Sequence, residues 1–144
     1  MKTAEVEINK MTAGCYEDVD WNNLKPMYIN IAKDVGFQKN RIGGNFVVAQ
    51  AIHSQEFRNL IRSILPNCIF INLSMTQEGS KQRIQSRHGD QAGELWEFFS
   101  KEYELFEKPG EAEENTYNID IDENMTPNDV LEKVLEVLDD KATD

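Results

Sequence analysis

The order of apolar and polar residues along the chain predicts alternating helices and strands. The first predicted helix runs from about Asn23 to Val35, because apolar residues recur there at helical spacing. Those residues are Leu24, Met27, Tyr28, Ile31 and Val35. Pro26 falls in the first turn, where proline is tolerated. The paired glycines Gly43-Gly44 indicate a turn, and the apolar run Phe46–Ala49 then predicts a strand covered on both faces.

The rest of the chain continues this alternation. Ser54 is placed to cap a helix that ends at Pro66-Asn67 and whose apolar face is Phe57, Leu60, Ile61 and Ile64. The remaining predicted strands are Cys68–Leu73 and Tyr117–Ile121, and the remaining predicted helices are Thr76–Arg87, Leu95–Phe106 and Val130–Leu138. The last of these helices has a predicted N-cap at Thr126, with Pro127 at the first helical position and Asp129 at the third.

Three strands alternating with helices predict an α/β fold, a three-layer parallel sheet with helices on both faces. The 144 residues fit one domain, predicted over residues 1–138 and followed by a polar tail over residues 139–144. No apolar stretch approaches the roughly 18 residues that span a bilayer, and the first residues lack the apolar core of a signal peptide. We therefore expect a cytoplasmic protein with no membrane partner.

Charge is distributed unevenly along the chain. The formal net charge is −11, yet residues 1–88 carry eleven basic and eight acidic side chains, whereas residues 89–144 carry four basic and eighteen acidic ones. Nucleic-acid binding needs clustered Lys and Arg that displace counterions from phosphates. The charge balance therefore predicts no nucleic-acid partner.

The cysteines and histidines are not arranged to hold a metal ion. Cys15 and Cys68 are the two cysteines, and His53 and His88 the two histidines, without metal-ligand spacing. Cys68 lies in an apolar run, where a packed thiol is favoured over a disulfide. We expect no metal of this kind and no cofactor.

Acidic and amide side chains alternate over residues 120–128, as they do in a calcium loop. However, Met125 and Leu131 stand where such a loop needs its turn glycine and its bidentate glutamate. Helix capping explains Thr126 and Asp129 better than calcium binding does.

Neither GxxxxGK[ST] nor GxGxxG occurs in the chain, so no glycine loop is placed to cradle phosphate. No serine lies in a G-x-S-x-G elbow, which disfavours a hydrolase. Arg83 and Arg87 are one helical turn apart and are followed by His88. This pair is either a solvated helix face or a fork of positive charge for a phosphate or carboxylate.

The ordered segments resemble those of a gluconokinase, a small sugar-acid kinase of the P-loop family. Asn9–Gly14, Asp18–Asp20 and Lys25-Pro26 resemble the N-x-x-K-M-x-x-G, D-D-D-R and K-P-W segments of that family. Further matches lie in Val47–Ala51 with Phe57–Arg62, Pro66–Leu73, Arg83–Gly89, Phe106–Gly110 and Asn118–Asp122. The resemblance covers about Asn9 to Leu138 and implies a truncated P-loop kinase fold.

The departures from this family bear on both activity and fold. Its first strand, Walker loop and following helix have no counterpart, and with them are missing the lysine and hydroxyl that would hold ATP and Mg²⁺. That strand lies between the counterparts of Phe46–Ala49 and Cys68–Leu73. Three solutions stay open for the gap: a strand formed by Ala4–Ile8, direct pairing of the flanking strands, or a strand lent by another subunit.

The resemblance implies a catalytically inactive gluconokinase-like protein that acts as a binding or self-association module. The expected partners are a second copy, in a homodimer, and a small anionic ligand. We expect the anion to face Arg58, Arg62, Arg83 and Arg87, with Lys25 nearby. One alternative is a carbohydrate kinase fragment or isoform that transfers phosphate from ATP to a gluconate-type substrate. A third hypothesis is an acidic structural protein that binds cations or a basic partner through its summed charge.

Overall fold

The structure is a computed structural model that describes residues 24–142. The chain divides into two compact units, residues 1–68 and 69–144, and each is considered by itself. Several sequence features lie outside the described residues: the candidate strand Ala4–Ile8, the segments Asn9–Gly14 and Asp18–Asp20, and Cys15. The expectation of one domain stays a prediction.

The first unit contains helices α1, Lys25–Ile42, and α2, Gln55–Ile64. Helix α1 begins close to the predicted position but continues past the predicted end at Val35. Gly36 lies inside it, where a Cβ would come within 3.3 Å of the Leu65 side chain. The helix ends instead at Gly43, whose positive φ of 75° favours glycine and whose N–H donates a hydrogen bond to the Lys39 carbonyl oxygen.

The two helices of this unit pack through the predicted apolar face of α1. Its buried side chains are Leu24, Met27, Tyr28, Ile31 and Ala32. On α2, Ile61 is buried, and the Phe57 ring lies 4.9 Å from the Tyr28 ring, centroid to centroid. Ser54 caps α2 as predicted, because its side chain accepts a hydrogen bond from the Phe57 N–H.

The prediction of a buried strand at Phe46–Ala49 is wrong. This segment has no regular secondary structure, and Val47 is 83% exposed. A short apolar run satisfies the pattern of a buried strand, but strand formation also requires a neighbouring strand to take its hydrogen bonds. Among residues 24–142 no strand pairs with this segment.

The second unit contains two strands and three α-helices. In chain order they are β1 (Phe70–Ser74), α3 (Gln77–His88), a short 3-10 helix (Gly89–Gln91), α4 (Ala92–Leu105), β2 (Thr116–Asp120) and α5 (Pro127–Ala142). Each predicted element of this part of the chain is present, with its ends moved by a few residues. Helix α5 runs through Ala142, so residues 139–142, predicted as part of a polar tail, are helical.

Strands β1 and β2 are parallel neighbours, with Phe70 opposite Thr116 and Ser74 opposite Asp120. A parallel pair needs a crossover, which helices α3 and α4 provide. Within the described part of the chain the sheet has two strands, not the three predicted. The fold is therefore mixed α/β.

Asparagine side chains reinforce the register of this strand pair. Asn72 lies opposite Asn118, and its amide donates 2.9 Å hydrogen bonds to Asn118 Oδ1 and to Ser74 Oγ. The Asn118 amide in turn donates to the Pro109 carbonyl oxygen at 2.9 Å. A shift by one residue would break the Asn72–Asn118 bond, the one of the three that joins the two strands, because alternate side chains point to opposite faces of a sheet.

Aromatic residues recur along α4 at Trp96, Phe99 and Tyr103 and just past its end at Phe106, and this stripe is less buried than a core face would be. Trp96 and Phe99 are half-buried, but Tyr103 and Phe106 are exposed. Tyr103 is fixed through its hydroxyl, which hydrogen-bonds with Ser80 of α3 and donates to the Met75 carbonyl oxygen at 3.1 Å.

None of the helices within residues 24–142 has the length and apolar character needed to cross a membrane.

Candidate functional site

The five predicted anion-binding residues are divided between the two units. Lys25, Arg58 and Arg62 belong to the first unit, and Arg83 and Arg87 belong to the second. Lys25 stands at the first position of α1 and forms an exposed 3.9 Å ion pair with Glu56 of α2. Such an exposed pair contributes little to stability, at most about 1 kcal/mol, so Lys25 is accessible to a ligand at low cost.

Arg58 is buried, with 3% of its surface exposed. Its Nη1 donates a 3.3 Å hydrogen bond to the Ile52 carbonyl oxygen. The side chain therefore folds back onto the segment that precedes its own helix. This contact gives Arg58 a structural role, and an anion could reach the guanidinium only if this packing opened.

Arg62 is half-buried one turn further along α2. Its Nη1 donates a 2.8 Å hydrogen bond to Asn59 Oδ1.

The burial of Cys68 raises the pKa of its thiol, and the positive charge of Arg62 and a backbone hydrogen bond oppose that rise only in part. The thiol of Cys68 therefore stays protonated at neutral pH and is a poor nucleophile.

Arg83 and Arg87 lie in the last two turns of α3. Arg83 is half-buried and Arg87 is exposed. Among the residues that the structure describes, neither forms a hydrogen bond or an ion pair. These two arginines are therefore the predicted site residues that are most available to an incoming anion.

Neither strand-to-helix turn of the second unit has the glycines of a phosphate-binding loop. The turn from β1 to α3 is Met75-Thr76, and the turn from β2 to α5 spans residues 121–126; both lack glycine. The side chain of Thr76 accepts a hydrogen bond from the Gly79 N–H at 3.1 Å and so uses one free amide of the helix start. The first turn of α3 therefore has one backbone N–H fewer to offer to a phosphate oxygen.

The polar residues before α5 form caps, as the sequence indicates. Asp122 Oδ1 accepts hydrogen bonds from the N–H groups of Asn124 and Met125 at 2.8 and 3.0 Å. Thr126 and Asp129 form a reciprocal capping box, in which each N–H donates to the other side chain. Within residues 24–142 no three His, Cys, Asp or Glu side chains are grouped so that they could hold a metal ion.

An exposed row of leucines on α5 was not predicted from the sequence. Leu131, Leu135 and Leu138 recur at i, i+4 and i+7 and are 52%, 48% and 37% exposed; we call them the leucine surface. The neighbouring stripe Val130, Val134 and Val137 is half-buried. The sequence contains a signal for this surface. The leucine and valine stripes together make the apolar face of α5 wider than a single covered face requires.

Acidic side chains border the leucine surface. Glu132 lies three residues before Leu135 and Asp139 four residues after it, so both are neighbours of Leu135 on the helix surface. Both carboxylates are exposed, and within the described chain neither forms an ion pair. The helix thus presents an apolar stripe with a negative border.

Compared with known proteins, the chain matches no protein-family model and no curated protein sequence.

Proposed function

We propose that this protein is a non-catalytic, self-associating binding module built on a gluconokinase-like α/β scaffold. The leucine surface carries the proposal. Its three leucines are each more than one third exposed. Leaving apolar surface in water costs about 25 cal/mol for every Å² that could be buried. A contiguous apolar stripe of this kind marks a surface that another molecule covers.

The strand pair supports the same proposal. Parallel strands are normally buried on both faces of a larger sheet. Here β1 has β2 as its single strand neighbour within residues 24–142, and Leu73 of β1 is 46% exposed. We propose that β1 and β2 are two neighbouring strands of the three-layer parallel sheet that the kinase resemblance implies, and that another segment or another copy completes it.

Molar mass in solution tests the proposal. Light scattering and sedimentation equilibrium over a wide range of protein concentration should show a mass that rises above that of one chain. The same samples should show no ATP hydrolysis and no micromolar binding of ATP with Mg²⁺. A mass of one chain at every concentration would contradict self-association, and micromolar ATP binding would contradict a non-catalytic role.

A second candidate, a sugar-acid kinase or a fragment of one, is favoured by Arg83 and Arg87. Their guanidinium groups on α3, which form no ion pair within residues 24–142, fit the charge of a phosphate or of a sugar acid. This candidate predicts ADP release from ATP that depends on gluconate. Arg83→Met with Arg87→Met should abolish that release, whereas Arg41→Met, on α1, should not. No release at high protein concentration would exclude it.

A further inference from the structure

A second surface of the protein has a spacing of apolar and charged residues that complements the leucine surface. Lys33, Phe37 and Arg41 follow one another at intervals of four residues on α1, so they form one stripe, which we call the basic surface. Phe37 is 61% exposed, and both cations are exposed. Neither Lys33 nor Arg41 forms an ion pair with any described residue. An aromatic side chain with a cation one turn away on each side is thus presented to solvent.

The leucine surface has the opposite charge around a similar apolar centre. Leu135 lies in the middle of its stripe, and Glu132 and Asp139 border it towards the two ends. The span of about two turns from Lys33 to Arg41 matches the span from Leu131 to Leu138 to within one residue. Phe37 can therefore lie among the leucines while the two cations meet the two carboxylates.

Pairing of two leucine surfaces with each other is less favourable. It would bring the Glu132 and Asp139 carboxylates of both copies to one interface, and like charges at an interface oppose association. The uneven charge of the chain has the same sense, because the basic excess lies within residues 1–88 and the acidic excess within residues 89–144. Contact between the basic surface of one copy and the leucine surface of another brings these opposite charges together.

We propose that the basic surface of one copy docks on the leucine surface of a second copy, with Phe37 inserted between Leu131 and Leu135. This inference rests on the proposed self-association and names the surfaces that carry it. Because the two surfaces differ, the contact is head-to-tail: each copy keeps one free surface of each kind, and assembly continues into a ring or a chain. Added salt weakens the contact by screening the charge pairs.

A mixing experiment tests the pairing with full-length protein. Phe37→Asp removes the basic surface's anchor and Leu135→Asp disrupts the leucine surface, and both positions are exposed, so circular dichroism should show that each variant stays folded. We expect each variant alone to associate at least about tenfold more weakly than the wild type. An equimolar mixture should form a dimer that grows no further, since it contains one intact surface of each kind.

Charge reversal provides an independent test. K33E/R41E and E132K/D139K should each weaken association by about tenfold, and the chain that carries all four substitutions should recover it, because the two borders again have opposite charges. Lys39→Glu changes charge on the opposite side of α1 from Phe37, and Glu97→Lys changes an exposed charge on α4. Both controls should associate as the wild type does.

The outcomes separate this inference from the proposed function. Wild-type mass above one chain that persists in both Phe37→Asp and Leu135→Asp overturns the head-to-tail pairing and leaves self-association standing. A dimer of Phe37→Asp alone, absent in Leu135→Asp, shows paired leucine surfaces and also overturns it. A wild-type chain that stays monomeric overturns both the head-to-tail pairing and the proposed self-association. This holds even if a synthetic helix that carries the basic surface binds α5.

Discussion

The hydroxyl of Tyr28 donates a hydrogen bond to the carbonyl oxygen of Ala51 at 2.5 Å. Tyr28 is 1% exposed, and its ring also contacts Phe57. The bond joins the first turn of α1 to the irregular segment that leads into α2. Together with the bond from Arg58 to the Ile52 carbonyl oxygen, it fixes two successive carbonyl groups that no strand or helix satisfies.

Replacing Tyr28 by Phe should lower the free energy of unfolding by about 0.5–1.5 kcal/mol, the net contribution of one hydrogen bond, because Ala51 is exposed and its carbonyl oxygen can regain water. Urea unfolding followed by circular dichroism measures this loss. Phe57→Leu is the matched comparison, since it changes the ring contact and keeps the Tyr28 hydroxyl. If Tyr28→Phe unfolds at the wild-type urea concentration, the hydrogen bond does not hold this segment.

Arg58→Met should also destabilise the first unit. The substitution keeps much of the buried side-chain volume but removes the donor to the Ile52 carbonyl oxygen. A hydrogen bond to a charged group is worth about 1.5–3 kcal/mol, and we expect a loss of that order in urea unfolding. Lys39→Met, at an exposed position of α1 outside the basic surface, should stay within about 0.5 kcal/mol of the wild type. Equal stabilities of the two variants would refute the structural role of Arg58.

Local signals in the sequence predicted the starts of helices well. Ser54, Thr76 and Thr126 each accept the hydrogen bond of a helix N-cap, as their residue types and positions indicate. A cap depends on residues within one turn, so its determinants are adjacent in the sequence. The end of α1 is also set locally. Gly43 ends the helix, and the loss of apolar periodicity after Val35 does not.

Features that depend on distant residues were predicted less well. Phe46–Ala49 has the composition of a buried strand, but its backbone hydrogen bonds would need a neighbour that local sequence does not specify. Arg58 and Arg62 have the spacing of a solvated pair, and the burial of Arg58 depends on how the preceding segment folds back. The leucine surface is visible in the sequence, but its exposure depends on which stripe of α5 the rest of the unit covers.

The capping box of α5 should make stability depend on pH. The hydrogen bond from the Thr126 N–H, and then the bond with the Thr126 side chain, hold the pKa of Asp129 below its ordinary value. A carboxylate whose pKa is lowered by folding stabilises the native state above its unfolded pKa, about 3.9, and this contribution disappears as the pH falls through the folded value. The wild type should therefore lose stability more steeply below about pH 4 than Asp129→Asn, which does not titrate.

Urea unfolding at a series of pH values between about 2 and 6 measures the two slopes. Thr126→Ser is the control, because it keeps the hydroxyl and the N–H that bond with Asp129, and it should follow the wild-type curve. Identical pH dependence in the wild type and Asp129→Asn would show that Asp129 does not contribute through this box.

Two helical glycines should respond in opposite directions to alanine. Gly79 in α3 is buried, and a Cβ there would lie 3.0 Å from Thr76 Oγ1, 3.1 Å from Met75 Cγ and 3.2 Å from Glu123 Oε2. Gly93 in α4 has no atom within 4 Å of such a Cβ. Alanine in an open helical position stabilises by up to about 1 kcal/mol, because it restricts the unfolded chain. Gly93→Ala should therefore raise the urea midpoint.

Gly79→Ala should lower the urea midpoint, since the methyl group displaces the oxygen that caps α3 as well as crowding Met75. The expected loss is about 1–3 kcal/mol, the usual cost of overpacking, and it outweighs the gain in helix propensity. Gly79→Ser, which adds a similar crowding atom, should lose at least as much. If Gly79→Ala raised the midpoint as Gly93→Ala does, the close approach of Thr76 and Glu123 to this helix start would be wrong.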